Sequence, residues 1–188
     1  MAEKQQQAGD KAPDFEMVDT SGKTIRLSDY KSTSVLLVFF RYAGCPWCNL
    51  AIHRLAMENN MLKKQGCQVI AFVQSDAESI KQNIMGRHEL KPQFPIIADP
   101  DRKIYNQYGV RSSRLAAARS VKHIPEWVHA VKKHGFKQEK VSGDLFLVPA
   151  SFLVASRTQK IVSADYSTSF YDFESFFKIY ESLIFHQA

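Results

Sequence analysis

The sequence lacks any long hydrophobic run. Its longest uninterrupted apolar stretch, Val35–Phe40, has the length of a strand and is far shorter than the roughly 20 apolar residues that a membrane helix needs. The segment Met1–Gln7 is mostly polar and contains no apolar core of the kind found in signal peptides. We therefore expect no membrane insertion and a cytoplasmic location, where structural disulfides are rare.

Cysteine is scarce as well, with 3 residues in a chain of 188. One Cys-x-x-Cys motif is present, and the chain has neither a second such motif nor a histidine pair at zinc-finger spacing from it to complete a structural zinc site. An iron–sulfur cluster lacks ligands for the same reason. We predict no metal and no cofactor. Cys67, which stands alone at the head of a predicted strand, is interpreted as a small core residue.

Acidic residues are sparse between residues 110 and 140. This segment holds eight Lys and Arg residues against two Glu, an excess equal to the net charge of +6 of the whole chain. A solvated helical face is the favoured interpretation, with a funnel for anionic substrates as the alternative. Nucleic-acid binding is disfavoured because no aromatic residues alternate with the basic ones. Apolar residues at near-helical spacing predict a buried face, namely Leu115, Ala118, Val121, Ile124, Trp127, Val128 and Val131.

The length suits one domain, and hydrophobic residues, at 45%, suffice to fill a core. Residues 1–11 are polar and are expected to form a flexible tail. The predicted strands are Phe15–Val18, Thr24–Leu27, Val35–Phe40, Gln68–Val73, Pro95–Ala98, Ser151–Val154 and Ile161–Ala164. The predicted helices are Pro46–Lys64, Asp76–His88, Asp101–Tyr108, two pieces of a basic insertion at 110–140 separated at Pro125, and Asp172–Phe185. This order predicts an α/β fold with an N-terminal β-hairpin and a mixed sheet that carries helices on both faces.

The motif Cys45-Pro46-Trp47-Cys48 lies between a buried strand and a helix. A thiolate at a helix N-terminus is stabilised by the helix dipole and by unpaired backbone N–H groups, which lowers its pKa. Cys45 occupies that position, and Cys48 follows one turn later. We therefore predict that Cys45 is an exposed nucleophile of low pKa and that Cys48 resolves the mixed disulfide. His53, further along the helix, is interpreted as a packing residue.

The run from Val35 to Leu50 resembles the thioredoxin superfamily in its strand, aromatic pair, Cys-x-x-Cys motif and helix. The segment Val148–Val154 is similar to the superfamily's cis-proline segment. The resemblance implies a thioredoxin-like fold and a cis peptide bond between Val148 and Pro149. It also implies that Pro149 shapes a substrate groove and keeps metals from the thiols.

The N-terminal part resembles the redoxin family of alkyl hydroperoxide reductases and thiol-specific antioxidants. The similarity is carried by Ala12–Phe15, Ser21–Tyr30 and Leu37–Phe40. Gly143-Asp144, ahead of Phe146 and Pro149, resembles a peroxiredoxin-like branch with a Cys-Pro-x-Cys motif. The resemblance covers roughly residues 9–109 and 141–185.

The sequence departs from a typical peroxiredoxin at the residues that handle peroxide. The family's Pro and Thr, seven and three residues before the peroxidatic cysteine, correspond to Val38 and Tyr42 when counted from Cys45. Pro149 stands where the family has an Arg. These departures favour dithiol exchange over peroxide reduction, because polarising groups stabilise the peroxidase transition state. Arg41 is a candidate substitute.

Three hypotheses follow from these residues. The first is a thiol–disulfide oxidoreductase that uses Cys45 and Cys48, acts on a protein or small-molecule disulfide and is served by a thiol electron donor. The second is a thiol peroxidase with Cys45 peroxidatic and Cys48 resolving. The third is a redox-inert module whose basic insertion binds an anionic partner. Substrate contacts are predicted for Arg41, Tyr42, Trp47 and Pro149.

Overall fold

The computed structural model describes residues 4–171. The strands are β1 (Glu16–Val18), β2 (Thr24–Arg26), β3 (Ser34–Phe40), β4 (Cys67–Val73), β5 (Ile96–Ala98), β6 (Ala150–Val154) and β7 (Ile161–Tyr166). Strands β1 and β2 form an antiparallel hairpin, whereas the other five form one sheet in the order β5-β4-β3-β6-β7. Strand β3 runs parallel to β4 and antiparallel to β6, so the sheet is mixed, as predicted.

The α-helices surround this sheet and agree closely with the sequence pattern. They are α1 (Pro46–Lys64), α2 (Ala77–Ile80), α3 (Lys103–Gln107), α4 (Arg114–Arg119) and α5 (Ile124–His134). A π-helical turn at Lys81–Met85 continues α2, and a 3-10 turn at Ser120–His123 joins α4 to α5. Asp76 caps α2 by accepting a hydrogen bond from the Ser79 N–H, as its position in the sequence predicts.

Strand β3 is buried on both faces because six consecutive residues, Val35–Phe40, are apolar. Leu36, Val38 and Phe40 point into a layer shared with α1 and α5. Val35, Leu37 and Phe39 point into a second layer, shared with α3 and the β1–β2 hairpin. The end of β3 is therefore held from both sides, which fixes the position of the Cys-x-x-Cys loop that follows it.

Helix α1 begins where the sequence predicts, with Cys45 at the N-cap in an extended conformation and Pro46 in the first turn. Proline suits this position because its missing N–H would lack an intrahelical partner in any residue. The helix ends before Gly66, which has a positive φ of 69°.

The prediction of a cis bond between Val148 and Pro149 is wrong, because no peptide bond in residues 4–171 is cis. The Val148 N–H donates to the carbonyl of Arg111, and the Pro149 carbonyl accepts from Ser167 N–H at 3.0 Å. Residues 148 and 149 are therefore extended and paired through their backbones as they lead into β6. The ordinary trans bond between them is compatible with this conformation.

The segment 110–140 is helical only as far as His134. Its apolar face is less buried than predicted, since Leu115, Val121 and Ile124 are between 50% and 62% exposed. Within α4 and α5 the buried residues are the small Ala116 and Ala130, and Phe136, just after α5, is buried as well. Small side chains allow the helices to approach the body closely, and the larger apolar residues remain at the surface.

The flexible tail expected at residues 1–11 stays a prediction, but two of its described residues form hydrogen bonds with β7. The Gln6 N–H donates to the hydroxyl of Tyr166 at 2.7 Å, and the Gly9 N–H donates to the carbonyl of Ile161 at 2.8 Å. The predicted helix Asp172–Phe185 lies outside the described residues. Within residues 4–171, no helix has the length and apolar character needed to cross a membrane.

Candidate active site

The two motif cysteines lie in the first turn of α1, beside the end of β3, and both are fully enclosed. Cys45 is 0% and Cys48 is 1% exposed, so the expectation that Cys45 is exposed is wrong. The segment after α5 closes the site, because the Glu139 N–H donates to the Gly44 carbonyl at 3.1 Å. A Cβ on residue 44 would stand 2.5 Å from the Glu139 Cβ, so only glycine permits this crossing.

Several donors converge on the sulfur of Cys45. Burial acts to raise its pKa, but a hydrogen bond from Cys48, the charge of Arg41 and the backbone N–H groups of Cys48 and Trp47 outweigh burial. The pKa of Cys45 is consequently lowered to about 6. This is the direction that the helix N-terminus predicts for a nucleophilic cysteine.

Cys48 has the opposite character. Burial raises its pKa, and its role as hydrogen-bond donor to the Cys45 sulfur raises the pKa further, to well above the ordinary value. The site therefore holds one thiolate and one thiol in contact. This asymmetry separates an attacking group from a group that keeps its proton until later.

Arg41 supplies the positive charge and is only 2% exposed. Its Nη1 lies 3.5 Å from the Cys45 sulfur, and the other two guanidinium nitrogens donate to the carbonyls of Leu145 and Leu147. The guanidinium also stacks on the ring of Phe170, 3.6 Å from its centroid. No carboxylate in residues 4–171 forms a salt bridge with Arg41, which makes the Cys45 thiolate its anionic partner.

An apolar cavity of about 280 Å³ opens beside this group. Its walls come from the loop around the motif and from the basic insertion, and they comprise Arg41, Tyr42, Trp47, Ala117, Ser120, Val121, Ile124, Leu145 and Phe170. Three of the four predicted substrate-contact residues thus line one cavity. Trp47 donates from Nε1 to the His123 carbonyl, which fixes its half-buried ring between the motif and the insertion.

Pro149, the fourth predicted substrate-contact residue, does not join the other three. It is buried and lines a separate cavity of about 130 Å³ with Arg111 and Tyr166. From the segment that precedes β6, the groups that reach the site are the backbone carbonyls of Leu145 and Leu147. The sequence does not predict these contacts, because every residue type has a backbone carbonyl.

Other contributors were missed for lack of any motif. The Ala43 N–H donates to the Ser75 hydroxyl at 2.9 Å, and the Tyr42 hydroxyl is paired with the Gln138 side chain. Cys67 lies in the core as expected, and burial raises its pKa to about 12. His53 packs its ring 4.8 Å from that of His134. In the described part of the chain, no cluster of His, Cys, Asp or Glu could hold a metal ion.

The sheet order, the cysteine pair at the start of α1 and the two helical layers define a thioredoxin-like fold. Peroxidoxin BcpB from Mycobacterium tuberculosis superposes with a TM-score of 0.68 over 95% of this chain and 96% of its own, at 17% identity. At that identity the likeness concerns the fold.

Residues 8–159 match the AhpC/TSA family, and the chain belongs to that family. It is 31% identical over 102 residues to the thiol-disulfide oxidoreductase ResA of Bacillus subtilis, covering 54% of this chain and 55% of ResA. It is 30% identical over 103 residues to peroxiredoxin Bcp of Escherichia coli, covering 55% of this chain and 64% of Bcp. Each match spans less than two thirds of the relative's own length. The family match over residues 8–159 confirms the resemblance to the redoxin family.

Proposed function

We propose that the protein is a thiol–disulfide oxidoreductase that alternates between the Cys45/Cys48 dithiol and a disulfide between these two residues. The proposal rests on one observation: a thiolate held by Arg41 lies in hydrogen-bond contact with a second, protonated thiol. A low-pKa sulfur attacks best, and a neighbouring thiol releases the product.

The first step is attack of the Cys45 thiolate on one sulfur of a substrate disulfide. A Cys45–substrate disulfide forms, the substrate S–S bond breaks and the second substrate sulfur leaves as a thiolate, which takes up a proton from solvent. Once Cys45 is bonded, it no longer accepts the hydrogen bond of Cys48. Cys48 then attacks the Cys45 sulfur, its proton passes to the departing first substrate sulfur, and the internal disulfide forms.

The cycle closes with a thiol donor. Two donor thiols are oxidised to a disulfide, Cys48 regains its thiol hydrogen, Cys45 returns as the thiolate and one proton passes to solvent, so two electrons pass from donor to substrate per turnover. A cytoplasmic setting suits this proposal because glutathione or thioredoxin-type donors keep thiols reduced there.

A disulfide is preferred as the oxidant because the positions expected to polarise peroxide in this family hold Tyr42 and Pro149 instead. The cavity supports the same choice. It offers apolar walls next to Arg41, where the carbon part of an organic disulfide can be buried beside the residue that contacts the Cys45 sulfur.

The decisive measurement is stopped-flow oxidation of the reduced Cys67→Ser protein, in which only the motif thiols remain. We expect loss of two thiols per disulfide and a larger second-order rate constant with hydroxyethyl disulfide than with hydrogen peroxide. The Cys48→Ser variant should stop at the mixed disulfide, which mass spectrometry detects as an adduct on Cys45. Oxidation by neither reagent would support the redox-inert binding module instead.

A thiol peroxidase is the second candidate, and the enclosure of Cys45 favours it. A sulfur that is 0% exposed is reached more readily by a peroxide than by a polypeptide. In that reaction the thiolate takes one peroxide oxygen, ROH leaves, and Cys48 attacks the sulfenic acid to form the disulfide and water. A rate constant with peroxide at least about tenfold above that with the disulfide would establish this candidate and exclude the first.

A further inference from the structure

Asn49, one turn after Cys45 in α1, closes the motif loop onto the helix. Its side chain is 1% exposed. The amide Nδ2 donates to the carbonyl of Ala43 at 2.7 Å and to the carbonyl of Cys45 at 3.1 Å. Both amide hydrogens are therefore engaged on the two sides of Gly44, and the N-cap residue cannot turn without breaking one of these bonds.

These two bonds settle the orientation of the Asn49 amide. Since Nδ2 faces two carbonyls, Oδ1 must be the atom that faces His88 Nε2, at 2.8 Å. An amide oxygen only accepts, so His88 Nε2 carries a hydrogen and donates it. The other ring nitrogen, Nδ1, is buried and has no hydrogen-bond partner among the described residues, which suits the unprotonated nitrogen of a neutral imidazole.

The surroundings hold His88 in this form. The ring is 2% exposed and stacks on Phe136 with centroids 4.6 Å apart. Burial, together with the neighbouring His53, Lys91 and His134, lowers the pKa of His88 to about 3. The imidazole is therefore neutral at neutral pH and serves as a permanent donor.

We propose that Asn49 and His88 are positioning residues for Cys45: His88 fixes the Asn49 amide, and the amide fixes the backbone of the N-cap so that the sulfur faces the N–H groups of Trp47 and Cys48. The proposal rests on the assignment of Cys45 as the nucleophile. Neither side chain touches the sulfur, so their effect is carried by the carbonyls of Ala43 and Cys45.

The physical reason is that hydrogen bonds to a sulfur are weak and depend on direction. If the His88 donor is removed, the Asn49 oxygen loses its partner in a dry environment, and the amide gains from rotating away from its present place. The N-cap residue then samples orientations in which its sulfur no longer meets the N–H groups. The thiolate of Cys45 is destabilised as a result.

The test uses reduced Cys67→Ser protein and follows thiolate absorbance at 240 nm against pH. We expect His88→Leu to raise the apparent pKa of Cys45 by about one unit or more, toward the free value of about 8.5. His88→Gln retains an amide N–H at the position of Nε2 and should restore most of the shift. His134→Leu is the matched control, since it removes an imidazole that packs on Phe136 without bonding to Asn49, and it should leave the pKa unchanged.

A mutant cycle distinguishes positioning from general packing. Asn49→Ala should raise the Cys45 pKa at least as much as His88→Leu, and the double variant should equal Asn49→Ala alone, because His88 acts only through Asn49. Additive effects, an unchanged pKa in a folded His88→Leu protein, or no rescue by Gln would each overturn the inference. If His88→Leu fails to fold, His88→Asn takes its place in the cycle, because its shorter amide does not reach the Asn49 oxygen and should raise the Cys45 pKa, whereas His88→Gln should not.

This readout is independent of turnover. If Cys45→Ser retains activity, the proposed function fails even where the thiolate titration follows His88 and Asn49. If the apparent pKa of Cys45 is the same in the His88 and Asn49 variants as in wild type while Cys45 is essential for turnover, the positioning inference fails and the proposed function stands.

Discussion

The two ends of the central strand each lie beside a buried cysteine, and the two thiols behave in opposite ways. Cys67 begins β4, paired in register with Ser34 at the start of β3. Cys45 follows the other end of β3. Both are 0% exposed, yet the pKa is raised to about 12 at Cys67 and lowered to about 6 at Cys45.

The difference shows that burial alone makes a cysteine inert. Around Cys67, burial is opposed only by a backbone hydrogen bond from Leu36. Around Cys45, the same burial is outweighed by another thiol, a guanidinium and two N–H groups of a helix start. Removal of water then has a second effect, since a charge–dipole contact is stronger in a medium of low dielectric constant.

Serine substitution at the two positions should give the largest contrast. We expect Cys45→Ser to lower turnover with a disulfide to below about 1% of wild type, because a hydroxyl is a poor nucleophile at its ordinary pKa. Cys67→Ser should keep turnover within about twofold, as its side chain takes no part in the cycle. Steady-state rates with thermal melts as a folding control measure both, and an inactive but folded Cys67→Ser protein would contradict the assignment.

Neutralising Arg41 should move Cys45 toward the behaviour of Cys67. In Arg41→Gln we expect the midpoint of the alkylation rate against pH to rise by about one unit or more, since the thiolate loses its cation. Arg41→Lys should lie between Gln and wild type, because an ammonium keeps the charge but cannot span Cys45 and both carbonyls. Arg119→Gln, an exposed arginine of α4, is the control, and an equal shift there would show that the charge acts at long range.

Much of this arrangement could be predicted from the sequence. The apolar run Val35–Phe40, Pro46 after Cys45 and the glycine at 66 fix the strand, the helix start and the helix end through local rules of burial and capping. They place Cys45 at a helix N-terminus, and this position predicts that its pKa is lowered. These are signals that neighbouring residues encode.

The remaining features depend on contacts between distant segments. The enclosure of Cys45 comes from residues near Glu139, and the partners of Arg41 are the carbonyls of Leu145 and Leu147, about a hundred positions away. The cis bond at Pro149 was expected from resemblance, whereas the backbone pairing with Arg111 and Ser167 sets the actual course of the chain. Long-range pairing of this kind leaves no local pattern.

The pH dependence of stability should separate the two cysteines again. The Cys45 pKa is lower in the folded protein than in the unfolded chain, so its ionisation stabilises the fold fully above about pH 8.5 and not below about pH 6. Between pH 6 and 8, the free energy of unfolding of wild type should rise relative to Cys45→Ser by up to about 1.4 kcal/mol per pH unit. Cys67 stays protonated in the folded protein and mostly protonated in the unfolded chain over that window, so Cys67→Ser should follow wild type to within about 0.2 kcal/mol. Urea titrations at pH 6 and 8 measure this, and parallel curves for Cys45→Ser and wild type would argue against a native thiolate.

The smallest effect should come from the basic insertion, which meets the Cys45 end of the sheet and not the Cys67 end. Its contribution to the cavity is uncharged, through Ala117, Ser120, Val121 and Ile124, while Arg114 and Arg119 are exposed. Exposed charges are screened within about 8–10 Å at ordinary salt.

Reversal of both arginines to Glu should therefore leave the Cys45 pKa unchanged and slow reaction with an anionic disulfide, such as oxidised glutathione, by no more than about threefold at low salt. The slowing should vanish at 0.5 M salt and be absent with neutral hydroxyethyl disulfide. A rate that is insensitive to reversal at every salt concentration would make the insertion a wall of the cavity alone, whereas a shifted Cys45 pKa would mean that Arg41 is not the only cation this thiolate senses.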